Sequence, residues 1–266
     1  MNGLVPVLLR GIGESWRSLA GWTAGLAAVV LLYLPLYPSM ADDGRMTELL
    51  DSLPQQLVRT LGYDQISTGA GYVQSTFFGL MGFLLTTIAA VAWGARAIAG
   101  HEESGRLELD LAHGIGRVPY ALGQALTILV KLVWLGAVSA TLIWLLSGPA
   151  ELHLDLARLV GTASALIGLA ALHASVGLLV GALTGRRTWA LGSAAAVAVL
   201  GYALQAVARQ APDVDWLRYA SPYAWVFHDA PLANGADPSM LALTWGLAVL
   251  GAAAAAVVLR SRDLRG

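Results

Sequence analysis

The sequence predicts an all-α, polytopic membrane fold with six transmembrane helices, and three observations carry that prediction. Of 266 residues, 57% are hydrophobic and only 12% are charged, about half the charge of an ordinary soluble domain. Several apolar runs reach roughly 20 residues, the length that crosses a hydrocarbon core about 30 Å thick. The basic residues are also distributed unevenly between the runs, which sets an orientation.

The elements follow in order. Leu4, Leu8, Ile12 and Trp16 recur every four residues, with Arg10, Glu14 and Arg17 on the opposite face. That pattern predicts an amphipathic interfacial helix over 4–17. Six spans are expected near 18–38, 70–98, 119–147, 156–183, 189–208 and 239–260. The first apolar run, Leu19 to Leu36, is longer than a signal-peptide core of about 7–15 residues, so it reads as a retained span that Pro35 and Pro38 close. The segment 39–69 is polar, and its Met46, Leu49, Leu50, Leu53 and Leu57 suggest a short surface helix. The segment 209–238 is too rich in Asp, Pro and Gly to span. No internal repeat is visible, so residues 1–266 read as a single membrane domain.

With the N-terminus in the cytoplasm, the inner segments hold Arg10, Arg17, Arg96, Arg106, Arg117, Arg186, Arg187, Arg260, Arg262 and Arg265. The outer ones hold Arg45, Arg59, Arg158, Arg209 and Arg218. Ten against five puts both termini in the cytoplasm and the segments 39–69 and 209–238 outside.

Several chemistries are excluded or unsupported. Without cysteine there is no disulfide and no thiolate chemistry. A phosphate-binding G-x-x-x-x-G-K-[ST] loop is missing, since the one lysine, Lys131, sits in "ILVKLVW". His101, Glu102, Glu103 and His113 lack any standard metal-ligand spacing. No Gly-x-Ser-x-Gly elbow occurs.

Ionisable groups inside spans point to function by default. Lys131 lies about twelve residues into the third span and His173 near the middle of the fourth. Each is open to two readings. They line a substrate pathway, or Lys131 snorkels and His173 bonds across helices. Trp134, with Trp93 and Trp144, either contacts cargo or belongs to an interfacial belt. An ion-coupled secondary transporter using Lys131 and His173, a membrane scaffold and an intramembrane enzyme are the competing functions; secondary transporters usually carry broken helices in paired halves, which this chain lacks. Gly177, Gly181 and Gly185 form one row of small residues and Gly21 and Gly25 another, suited to close helix packing within or between chains.

The polar stretch "GHEESGRLELDLAHGIGR" stands between the second and third spans. Leu107, Leu109 and Leu111 alternate with Glu108 and Asp110 like a strand. A lone strand there has no partner for its backbone, so a short helix near 102–112 is the better reading. Glu102 and Glu103 suit its N-terminus, and Gly114 and Gly116 its end.

These residues carry a family resemblance. Glu102, Glu103, Gly105, Arg106, Leu107, Glu108, Leu109 and Leu111, followed by Arg117, resemble the first cytoplasmic loop of prokaryotic ABC-2 type transporter permeases. "YASPYAWVFHDAPLANGADPS" resembles the stretch before their last span, and "LRSRDLRG" their cytoplasmic end. Asp110, with Ala112 and His113, departs from the usual Leu-Ser-x-Pro.

The resemblance, closest in style to antibiotic and drug exporters, implies a bacterial plasma-membrane subunit that moves a small hydrophobic or amphipathic substrate. ATP and Mg would be bound by two copies of a separate ABC ATPase, with no cofactor in this chain. A second permease, identical or paralogous, would complete the assembly within the lipid bilayer, without nucleic acid. Glu102, Glu103, Ser104, Gly105, Arg106, Leu107, Glu108, Leu109 and Leu111 would form the coupling helix that docks the ATPase. The interfacial helix, with Arg10, Glu14, Trp16 and Arg17, would contact it too. The 209–238 segment would form short re-entrant or external helices.

Overall fold

No proline falls between Pro6 and Pro35, and the chain there runs as one helix, α1 (Leu4–Tyr33). A tight turn at Leu34–Leu36 and a last helical piece, Tyr37–Ala41, continue it. The computed structural model describes residues 3–41 and 66–262. The separate interfacial helix over 4–17 is therefore corrected: it is the first half of α1, because nothing at Arg17 or Ser18 stops the backbone ladder. Its packing face also differs from the expected stripe. Val7, Leu26 and Val30 are buried, and Val7 and Gly11 press on Gly123 and Thr127. Trp16 points outward, with the Arg17 guanidinium 5.5 Å from its ring centre.

The second long helix, α2 (Gly69–Glu103), starts at Thr68, whose hydroxyl accepts from Gly71 N at 3.0 Å. It contains two widened π-helical stretches, Gln74–Met81 and Arg96–Gly100. Such turns disturb the carbonyl ladder, and neighbours supply partners. Tyr223 Oη donates to Gly79 O at 2.8 Å, and Tyr120 Oη to Ala97 O at 3.4 Å.

α2 ends at Glu103. Ser104 Oγ donates back to Gly100 O at 2.9 Å, and Gly105 takes the left-handed conformation, φ 71°. A separate helix, α3 (Arg106–Ala112), follows. The expected helix over 102–112 is thus split: Glu102 and Glu103 finish α2 rather than begin α3, because a left-handed glycine ends a helix.

The remaining spans match their expected positions within about two residues: α4 (Arg117–Ser147), α5 (Leu156–Thr184) and α6 (Arg187–Ala208). Between α6 and the last span lie a 3₁₀ stretch, Pro212–Ala220, and two short helices, α7 (Pro222–Phe227) and α8 (Pro231–Asn234). The last span is α9 (Pro238–Ser261). Among the described residues, six helices are long and apolar enough to cross a membrane. Among the described residues there is no strand. The surface helix expected within 39–69 falls on residues 42–65, outside those described.

α5 is the centre of the bundle, packed by α9, α2, α6 and α4. The approach to α2 is close enough that a side chain on Gly94 would collide with the Ala174 carbonyl. Gly177 faces Gly94 and Ala95, and Gly181 faces Ala99. This row therefore serves packing inside the chain, whereas Gly21 and Gly25 meet nothing within 4 Å.

The six passages sort the connections into two ends. The start of α1, α3, the α5–α6 turn and the end of α9 meet at one end, called here the polar end. At the other, Tyr72 Oη donates to Tyr33 O at 2.8 Å, and Leu232 N donates to Gln74 Oε1 at 3.1 Å.

Candidate functional site

At the polar end the two glutamates act as a clamp on three helix ends. Glu102 pairs with Arg262, which also donates to Ala182 O at 2.6 Å. The carboxylate of Glu103 accepts from Arg187 N at 2.8 Å, capping the first turn of α6. A helix N-terminus carries unsatisfied N–H groups and partial positive charge, so an acid there is favourable. Gly185 is needed twice over: its φ is 65°, and a Cβ would meet Glu102 and Arg262 atoms at 2.6–2.7 Å. Arg117 completes the clamp by donating to Arg262 O at 2.9 Å.

α3 is fastened to α1 by charge and to the core by two leucines, Leu107 and Leu111. Leu107 is fully buried and Leu111 partly so, while Leu109 is 62% exposed. Asp110, buried, accepts from Arg10 Nη1 at 2.6 Å. Arg10 also binds Glu14 at 2.9 Å, and Arg106 reaches Glu14 from α3. Two cations and two carboxylates thus interlock two helices. Glu108 Oε2 is buried with no hydrogen-bond partner among the described residues.

Above this network a cavity of about 200 Å³ opens between α1, α2, α3 and α4. Lys131 lies at its wall, 5% exposed, with Nζ 4.1 Å from the ring centre of Trp93. His173 does not line this cavity; it is buried beside Phe83, ring centres 6.3 Å apart, and its Nδ1 has no hydrogen-bond partner among the described residues. Trp134 lies on the outside of α4, half-exposed, donating to Thr23 Oγ1 at 3.2 Å. The three residues considered for a substrate pathway are therefore in three environments. Arg262 and Asp110 are the partners that sequence reading missed. Asp110 had a signal, as the departure from the family pattern.

A second polar cluster lies at the far end. Arg218 Nη1 donates to His228 Nε2 at 3.1 Å, leaving the ring proton on Nδ1, beside the Gln205 amide. Burial holds the His228 pKa below its usual value, with Arg218 and Arg209 adding to the effect against Asp229. Folding therefore favours the neutral ring. The resulting stability is present above pH 6.5 and is lost as pH falls through the lowered value. Thermal melting at pH 7.5 and pH 5 should show a larger acid-induced drop for the native chain than for His228→Gln.

Fixed charges thus join α1 and α3 at one end of a bundle that holds six candidate spans among the described residues. Among curated proteins none matches the chain. A family model does: residues 6–264 match that of the ABC-2 family transporter protein. This multi-pass membrane chain therefore belongs to the ABC-2 transporter family.

Proposed function

We propose that the chain is the permease subunit of an ATP-driven exporter in a bacterial plasma membrane, with ATP hydrolysed by a separate pair of ABC ATPase subunits. A second permease, identical or paralogous, completes the assembly. The observation that carries this reading is α3. It stands between two spans, is pinned by Leu107 and by ion pairs to α1, and leaves Leu109 turned outward. A push on α3 therefore reaches α1, α2 and α4 together.

The orientation rests on charge. Arg10, Arg106, Arg117, Arg186, Arg187, Arg260 and Arg262 gather towards the polar end, against Arg158, Arg209 and Arg218 at the other among the described residues. Basic residues favour the cytoplasmic side, so α3 and both ends of the described chain face the cytoplasm. An apolar groove of about 420 Å³ between α2 and α6, walled by Leu84, Ile88, Val91, Val199 and Tyr202, supports a hydrophobic or amphipathic substrate.

Leu109→Asp tests the docking role. Burying a leucine contributes about 1.5–3 kcal/mol, so affinity for a co-expressed cognate ABC ATPase should fall about tenfold or more, with the melting midpoint unchanged. Undiminished co-purification and undiminished export in this variant would rule the role out.

A further inference from the structure

The cavity at the polar end holds more positive than negative charge. Lys131, Arg96, Arg10 and Arg106 line it, against Glu14 and Asp110. Both carboxylates are already engaged by Arg10 and Arg106. Lys131 and Arg96 form no ion pair among the described residues. They are neighbours in the fold: Lys131 Nζ lies over Trp93, and Arg96 follows Trp93 three residues along α2. Ser18 adds a donor. Its oxygen accepts from Trp93 Nε1 at 3.3 Å, so its own proton is free to point into the cavity.

An ammonium taken out of water needs a counter-charge. The face of one tryptophan supplies only part of it. The exposed residues of its lining are Pro6, Arg10, Glu14 and Ser18 on α1 and Arg96 on α2, and its volume holds a phosphate with several waters at about 30 Å³ each.

We propose that this cavity binds the phosphomonoester headgroup of an amphiphile, the phosphate seated between Lys131 and Arg96 and the hydrocarbon chain left in the bilayer. This rests on reading the chain as a carrier of amphipathic substrate. The charge count selects the headgroup. A phosphomonoester carries about −1.5 to −2 near neutral pH, which matches two unpaired cations. A diester carries one charge at most, and a zwitterionic headgroup brings its own cation.

The test is calorimetric titration of the full chain, in nanodiscs of phosphatidylcholine, with dioctanoyl phosphatidate. Dioctanoyl phosphatidylcholine and inorganic phosphate are the comparison ligands. Phosphatidate should saturate one site. Lys131→Gln and Arg96→Gln should each weaken it about tenfold or more, as expected for a lost charge-assisted bond. Arg186→Gln, at a residue that does not line the cavity, should leave it within about threefold, a difference too small for a lost ion pair. Inorganic phosphate should compete, but weakly.

Equal binding of phosphatidylcholine, or unchanged affinity in both glutamine variants, overturns the site. Inorganic phosphate binding as tightly as phosphatidate overturns the amphiphile and leaves a free-anion site. Should Lys131→Gln fail to fold, Arg96→Gln decides, since Arg96 is exposed. No ATPase is needed, so a failed titration alongside intact ATPase co-purification sinks the site and spares the exporter reading, and the converse outcome does the reverse.

Discussion

Replacing Glu102 and Glu103 together by Ala is expected to destabilise the isolated chain before any partner is present. Glu102 holds Arg262, and both side chains are largely buried, 11% and 18% exposed. Removing one member of such a pair leaves the other without its counter-charge, at about 3–5 kcal/mol when burial is complete and towards the lower figure here. Glu103 caps α6 through Arg187 N. A lost cap costs about 0.5–2 kcal/mol. Their sum is enough to lower the melting midpoint in detergent by on the order of 10 °C. Arg262→Gln alone should reproduce most of the loss and should add little on top of Glu102→Gln, because partners in one bond are not additive. Melting curves that superimpose for the native and double-Ala chains would show that the clamp is idle.

The second large effect is expected at Asp110. Asp110→Asn removes the charge that Arg10 grips at 2.6 Å and leaves Arg10 and Arg106 sharing Glu14. α3 keeps its seat through Leu107, so assembly with the ATPase should survive. The rigid link to α1 should not. In reconstituted vesicles substrate-stimulated ATP hydrolysis should fall at least about tenfold, the scale of a lost charge-assisted bond, while basal hydrolysis persists. The exchanged pair Arg10→Asp with Asp110→Arg should restore part of the stimulation. Stimulation equal to the native chain in Asp110→Asn would mean that α1 is a bystander.

The spans were legible because length and hydropathy are local properties. α4, α5, α6 and α9 begin and end within about two residues of where composition puts them. The division of the N-terminal segment was not legible, since an amphipathic pattern over 4–17 says nothing about whether the helix stops at Arg17. The polar stretch was half legible. Its helix is real, but Gly105 divides it, and a glycine in a short polar run signals flexibility, bend or cap equally. The candidate site was least legible. Glu102 and Arg262 are 160 residues apart and Arg10 and Asp110 are 100 apart, and no local pattern joins such pairs.

The Glu102–Arg262 bond also sets a timetable for making the protein. At about 5–20 residues per second of synthesis, Glu102 waits roughly 8–30 s for its partner to leave the ribosome. The Glu103 cap on α6 closes earlier, after 84 residues. The polar end of the nascent chain is therefore half closed while α9 is still being made, and Glu102 stays without this partner until Arg262 arrives.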